Sequence, residues 1–324
     1  MSVDVSAPTA ASKEHRTLHS TTIEAPADVV YDIIADVSRW PQFFAPNVHV
    51  EQLEGDAQRE RIHIWATANG EVKHWISRRE LDRANLSVTF RQEVSQPPVA
   101  SMGGKWVITP ISPATSLLEL YHDFRAVDGS ADGEQWIRAA LDRNSAAELD
   151  GIKRIAELAD RLDELMFTFD DTVHVDADGK DVFDFLDRAD LWPERLPHVA
   201  RLDLTEKTPG LQVMAMDTRT ADGSVHTTES VRVVFGENRI VYKQTTVPAL
   251  MTAHTGRWTI VPADGGGVDV TSRHTVIIKA SAVEQVLGEG RTVADARAYI
   301  HRALSTNSTN TLKHARAYAE SRRG

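Results

Sequence analysis

Cysteine is absent from all 324 positions, which excludes disulfides, thiolate nucleophiles and thiolate-bound zinc. Long apolar runs are missing too. No stretch approaches the roughly 18 residues that span a bilayer, so no membrane partner is expected. Positive charge is scarce: 36 Lys and Arg stand against 47 Asp and Glu, a formal net charge of −11. Binding to a phosphate backbone depends on the opposite balance, and no nucleic-acid partner is expected. Glycine-rich phosphate loops, a Gly-x-Ser-x-Gly elbow and an acidic metal triad are all absent, which predicts chemistry without cofactor or metal. The polar start, Met1 to Ser12, lacks the basic opening and apolar centre of a secretory signal. It predicts a disordered lead-in over residues 1–16 of a cytoplasmic protein.

A hydrophobic fraction of 41% with 26% charged residues is that of a globular chain, and the length favours two domains of about 150 residues each. The sequence repeats itself at a shift of 152 residues. Gly104-Lys105-Trp106-Val107-Ile108-Thr109-Pro110 recurs as Gly256-Arg257-Trp258-Thr259-Ile260-Val261-Pro262. The same shift carries Trp40-Pro41 onto Trp192-Pro193, Gln92 onto Gln244 and His122 onto His274. Several uncommon residues at one offset indicate duplication. The boundary falls near 160–168, giving domains over 17–163 and 168–324.

Within a copy, Pro26 and Asp28 suit a helix start, and Val29, Val30, Ile33, Ile34 and Val37 follow at helical spacing. Strand-like runs come next at Val48–Leu53, Arg61–Ala66, Val72–Leu81, Leu86–Glu93, Lys105–Thr109 and Leu117–Phe124. From about Glu134 to Leu165 a stripe that includes Trp136, Ile137, Leu141, Leu149 and Ile152 predicts a closing helix. The second copy repeats the plan, with Val182 to Leu186 on its early helix and Val293, Ile300, Leu304 and Leu312 on its last. Short connections between strands favour antiparallel pairing. The predicted class is α+β: two tandem helix-grip domains, each a curved sheet around one long helix with a ligand cavity between.

Three blocks carry a family resemblance: Ser38–Glu51, which includes Trp40-Pro41-Gln42-Phe43-Phe44; Trp75-Ile76-Ser77-Arg78-Arg79-Glu80-Leu81; and Phe90–Gly104. They are similar to segments of the polyketide aromatase/cyclases, of the START/Bet v 1-like superfamily, and the tandem layout resembles their di-domain members. The resemblance implies regiospecific aldol cyclisation, dehydration and aromatisation of the first ring of a poly-β-ketone. It implies an acyl carrier protein delivering that chain, already reduced at one ketone, with no cofactor. A non-catalytic carrier of lipids or quinones is the competing reading, because helix-grip domains also serve as carriers.

The family places a tryptophan, a serine and an arginine on one cavity-facing strand, here Trp75, Ser77 and Arg79. Residues i, i+2 and i+4 of a strand share a face. Arg79 is the expected fixed cation beside a developing enolate or alkoxide, and Arg79→Ala is expected to abolish cyclisation with little loss of packing. A lone tryptophan is more often simply a core residue, but in a cavity protein the two readings merge, and Trp40, Trp65, Trp75 and Trp106 are expected as cavity walls that hold a flexible chain bent. Asn47 stands where some relatives carry a cavity tyrosine, a departure from the family pattern. Asn144 resembles a helix position that faces the substrate. His122 and its counterpart His274 are either proton carriers or a structural pair.

In the second copy the shift of 152 sets Thr227, Glu229 and Val231 against Trp75, Ser77 and Arg79, and Asp217 against Trp65. The motif therefore reads as lost there. That copy either runs a later dehydration, with Glu229 or His274 moving protons beside Trp258, or serves as a structural partner.

Overall fold

The computed structural model describes residues 13–219, 223 and 225–323, so the Met1–Ser12 lead-in lies outside the described residues. The expected disorder up to residue 16 is corrected at its end, because β1 (His15–Ile23) already pairs with a neighbour along its whole length. The first copy continues through α1 (Ala27–Ala35), α2 (Trp40–Phe43), β2 (Asn47–Gly55), β3 (Arg59–Ala68), β4 (Glu71–Asp82), β5 (Ser87–Val94), β6 (Val99–Ser112), β7 (Thr115–Ala126) and α3 (Ala131–Ala156). After the short α4 (Leu162–Leu165), the second copy runs β8 (Met166–Val175), α5 (Gly179–Asp187), α6 (Trp192–Arg195), β9 (Val199–Thr208), β10 (Leu211–Arg219), β11 (Val225–Phe235), β12 (Arg239–Thr246), β13 (Met251–Pro262), β14 (Val268–Ile278), α7 (Val283–Leu287) and α8 (Val293–Ser321).

Both copies hold a seven-stranded sheet of the same order, β1-β7-β6-β5-β4-β3-β2 and β8-β14-β13-β12-β11-β10-β9. The paired strands are antiparallel, as the short connections require. Two tandem helix-grip domains of the START/Bet v 1-like kind are the observed architecture. By compactness one unit takes Met1–Trp40 with Val50–Glu157, and the other takes Pro41–His49 with Leu158–Gly324. In the latter unit the buried Lys243 donates from Nζ to the carbonyls of Phe44, Ala45 and Asn47, at 2.6, 3.0 and 2.8 Å.

Each long helix has its start written in the sequence. Ser130 Oγ accepts from Gly133 N at α3, and Thr292 with Asp295 forms a capping box at α8. The α3 face that buries Ile137, Leu141, Leu149 and Ile152 is the predicted stripe. The helix is shorter than expected. It ends at Ala156, and Leu158 leaves helical geometry at φ −106°, ψ 8° before α4 begins.

The glycine shared by the two repeated segments has a packing reason. Gly104 sits between Phe90 on β5 and His122 on β7, and Gly256 between Tyr242 on β12 and His274 on β14. A Cβ at Gly104 would lie 2.0 Å from the Tyr121 carbonyl, and one at Gly256 would lie 2.3 Å from the Tyr242 hydroxyl. The bare backbone lets the flanking side chains meet over it.

Candidate active sites

Strand register decides which side chains share a face. In the first copy Glu60 on β3 lies directly across from Arg79 on β4, Ile62 from Ser77 and Ile64 from Trp75. Trp75, Ser77 and Arg79 therefore stand on one face, as the spacing predicts. Ser77 and Arg79 are both 2% exposed, and Trp75 is half-buried.

Arg79 is neither a surface residue nor a free cation. Its Nη1 is ion-paired with Glu60 and donates to the Ala35 carbonyl at 3.3 Å, while Nη2 donates to the Ile34 carbonyl at 2.5 Å. The guanidinium also lies over Trp40, 4.7 Å from the ring centroid. Two carbonyls at the end of α1, one of which also accepts from Trp40 Nε1 at 3.2 Å, and one carboxylate thus hold it. Removing it strands a buried acid, which corrects the expectation of a harmless truncation.

Trp65 is corrected more sharply. It pairs with His74, on the face opposite Trp75, and stacks on His63 with centroids 3.7 Å apart. Ile62 and Ile64 take the inner face, and a period of two leaves Trp65 the outer one. Trp40 and Trp106 are buried, and Asn47 is buried with Oδ1 unpartnered among the described residues. Asn144 donates from Nδ2 to the Thr67 carbonyl at 3.0 Å. His122 packs edge-on to Phe90, and burial pushes its imidazole down to about 4, so it stays neutral and is a poor proton acceptor near pH 7. One turn beyond Asn144 on α3 stands Glu148, which sequence reasoning missed. Burial raises its carboxyl to about 7. His15 and His19 do make a His-x-x-x-His spacing, but on β1 they pair with Glu134 and Asp142 respectively. Among the described residues no cluster of metal-ligating side chains occurs.

The second copy corrects the alignment itself. Arg232 lies across from Gln212 on β10 and from Tyr242 on β12, as Arg79 lies across from Glu60 and Phe90. Arg232 Nη2 donates to the Leu186 carbonyl at 2.6 Å, and its guanidinium lies 5.3 Å from the Trp192 centroid. Along β11 the true shift is thus 153, and Trp75, Ser77 and Arg79 correspond to Thr228, Ser230 and Arg232. The serine and arginine are retained, and only the tryptophan is replaced. Glu229, set against Ser77 by the shift of 152, is exposed on the other face and accepts from Thr246 Oγ1 at 2.9 Å. It is no cavity residue.

A cavity of about 340 Å³ opens in this copy, lined by Arg232, Tyr242, His254, His274, Trp192 and Trp258 among others. Ser230 and Thr228 line it from β11, and Asn307, Ser308 and Thr311 from α8. Glu157, the residue that caps the end of α3, accepts from Glu24 N, and Glu320 on α8 accepts from Asp176 N. That equivalence sets Asn144, Ser145 and Glu148 at the positions of those three α8 residues.

Polar groups converge in the second cavity. His254 Nδ1 lies 2.9 Å from Gln244 Oε1, His254 Nε2 lies 3.0 Å from His274 Nδ1, and the Tyr242 hydroxyl lies 3.1 Å from the same nitrogen. Ser272 Oγ is 3.2 Å from His274 Nε2. Burial depresses both imidazoles, His274 to about 4, and raises the Tyr242 phenol. All three are neutral near pH 7.

Two family models, each described as polyketide cyclase/dehydrase and lipid transport, match the chain, one over residues 23–136 and the other over residues 166–319. The chain belongs to this polyketide cyclase/dehydrase family. It is 46% identical over 316 residues to the actinorhodin polyketide synthase bifunctional cyclase/dehydratase of Streptomyces coelicolor, covering 94% of this chain and 97% of that one. A granaticin polyketide synthase bifunctional cyclase/dehydratase from Streptomyces virginiae is 47% identical over 291 residues, covering 90% and 95%. Among solved structures, the di-domain ARO/CYC BexL from the BE-7585A biosynthetic pathway superposes with a TM-score of 0.84 at 52% identity, covering 94% of this chain and 99% of that one. StfQ, the di-domain ARO/CYC from the steffimycin pathway, gives 0.81 at 37% identity with the same coverage. The chain is thus a polyketide aromatase/cyclase, with an enzymatic cyclase/dehydratase role. No helix among the described residues is long and apolar enough to cross a membrane.

Proposed function

We propose that the chain closes and dehydrates the first ring of a ketoreduced poly-β-ketone delivered by an acyl carrier protein, with ring closure in the first copy. The supporting observation is Glu148. Burial holds its carboxyl near 7, where a carboxylate can take a proton from carbon and return it to oxygen in one cycle. Glu148 removes a hydrogen from a methylene flanked by two carbonyls. The resulting enolate carbon bonds to a carbonyl carbon further along the chain, and the new alkoxide takes a proton to become a hydroxyl. Loss of that hydroxyl with a neighbouring hydrogen releases water and leaves a double bond in the ring.

Ser77 supplies a hydroxyl to a substrate carbonyl. Trp75 and Trp106 hold the chain folded, which lowers the entropy of reaching the reactive geometry. Asn144 fixes the helix against β3 through the Thr67 carbonyl. Arg79 acts as a positioning residue, because its charge is already matched by Glu60.

The test is reconstitution with a minimal polyketide synthase and ketoreductase, comparing wild type with Glu148→Gln and Ser77→Ala. Glu148→Gln should return the shunt products seen without the protein, and Ser77→Ala should blunt regiochemical control. A folded Glu148→Gln variant with the wild-type product profile would overturn the assignment. The same wild-type result from the double variant would favour a passive carrier.

A further inference from the structure

The two copies hold an arginine at one place in the fold and treat it differently. Arg79 is closed by Glu60. At the position of Glu60 the second copy has Gln212, whose amide nitrogen donates to Asp187 Oδ1 and Glu206 Oε2, both at 3.0 Å. Arg232 is 2% exposed and lines the cavity, and its Nε and Nη1 have no hydrogen-bond partner among the described residues. Asp187 and Glu206 are the acids whose fields reach it, yet its one hydrogen bond among the described residues goes to the Leu186 carbonyl and not to either carboxylate. A buried guanidinium with two open N–H groups is a costly arrangement unless an oxygen ligand completes it.

The residue beside it supplies a second donor. Arg232 and Tyr242 are direct cross-strand partners, so their side chains share a face and start about 5 Å apart. Gln244 Oε1 can only accept, so His254 Nδ1 carries the hydrogen and His254 Nε2 accepts from His274 Nδ1. His274 Nε2 then accepts from the Ser272 hydroxyl. In this arrangement the Tyr242 oxygen faces an N–H, and its own hydrogen has no acceptor among the described residues and turns to the cavity. The first copy offers neither feature, with Phe90 at the place of Tyr242. Thr228 at the place of Trp75 opens the space in front of the pair.

We propose that the second cavity is a ligand site of its own, in which Arg232 and Tyr242 bind the oxygen anion of an enolised 1,3-dicarbonyl or phenolate whose ring lies among Trp192, Trp258, Met214 and Leu304. The ligand class rests on the polyketide reading, while the oxyanion site rests on the geometry. Arg232 stays charged because burial lowers it only to about 10, and the neutral histidines and phenol add no competing anion.

The full chain is titrated calorimetrically at pH 7.5 with 2-phenyl-1,3-indandione, an enolate at that pH, and with its 2-methyl derivative, which cannot enolise. Arg232→Met should weaken the enolate by about tenfold or more and the methylated analogue by less than about twofold, as expected for loss of a charge-assisted bond. Tyr242→Phe should weaken the enolate alone, about threefold or more. Thr228→Trp, which fills the cavity while both donor residues are kept, should abolish binding of both probes. If Arg232→Met does not fold, the Tyr242 and Thr228 variants decide the matter. Enolate binding that survives Thr228→Trp, or equal losses for both probes in the donor variants, would overturn the proposal. Failed ring closure in reconstitution with the Arg232 dependence intact would count against the polyketide reading alone.

Discussion

Replacing Arg79 by methionine is expected to unmake the first copy locally, whereas the same change at Arg232 is nearly silent for stability. At Arg79 the substitution keeps the aliphatic stem over Trp40 but removes the partner of Glu60, a side chain only 5% exposed. It also removes the donors to the Ile34 and Ala35 carbonyls. Breaking a buried pair from one side costs roughly 3–5 kcal/mol, because the other charge stays buried without compensation. At Arg232 no carboxylate is stranded, one carbonyl bond to Leu186 is lost, and about 1 kcal/mol is expected. Hydrogen exchange on the full chain reads the two sites separately, from peptides of β3 and β4 against peptides of β10 and β11. The double variant Glu60→Gln/Arg79→Met removes both charges and should recover to within about 1–2 kcal/mol of wild type. Equal loss of protection at the two arginines, or a double variant as unstable as Arg79→Met alone, would refute the reasoning.

Glu148 is raised on folding from 4.5 to about 7, so its protonated form is favoured in the native state; stability should fall by roughly 2–3 kcal/mol between pH 4.5 and 7, and Glu148→Gln should flatten that slope in urea titrations. His122 and His274 are depressed from 6.5 to about 4. Their contribution is whole above pH 6.5 and is lost as pH falls toward 4, roughly 3 kcal/mol each, and His122→Gln should remove its share of the acid sensitivity. Gly256→Ala would set a methyl 2.3 Å from the Tyr242 hydroxyl and 2.5 Å from the Arg273 carbonyl; a drop in thermal midpoint with loss of Tyr242-dependent enolate binding is expected, and an unchanged midpoint would contradict the packing argument.

The duplication, the sheet and both long helices were legible because they are written in periods and in uncommon residues at one offset. The second site was not, for a reason of loop length. Thr67 of β3 pairs with Val72 of β4 across four intervening residues, and its counterpart Arg219 of β10 pairs with Val225 of β11 across five. Arg83–Leu86 turn β4 into β5, but only Gly236–Asn238 do so later. One change lengthens and the next shortens, so the shift is 152 on both sides and 153 along β11 alone. A one-residue slip turns every side chain of a strand to the other face, and it exchanged Ser230 for the exposed Glu229. The recurrence of Ser-x-Arg at Ser77 and Ser230 was the available signal. The aromatic type of Trp65 points to a cavity wall, but the alternation of Ile62 and Ile64 turns it to the opposite face. Glu148 could have been found as an acid seven residues after Leu141, inside the apolar stripe.

Two differences between the copies separate two kinds of chemistry that one cavity could not hold together. Proton transfer from carbon calls for a carboxylate near neutral pKa, which the first copy keeps at Glu148 while Glu60 closes its arginine. A carboxylate and an open guanidinium in one small buried space would pair, lowering the acid and filling the cation. Stabilising an enolate or phenolate oxygen calls instead for an open cation with neutral donors around it. The second copy meets that condition by putting Gln212 where Glu60 stands and Tyr242 where Phe90 stands, and by keeping both histidines uncharged. Restoring the acid there, with Gln212→Glu, should therefore close Arg232 as Glu60 closes Arg79. The variant should be as stable as wild type or more so, and it should lose enolate affinity about tenfold. Enolate binding unchanged in a folded Gln212→Glu protein would show that the open guanidinium is not what holds the ligand.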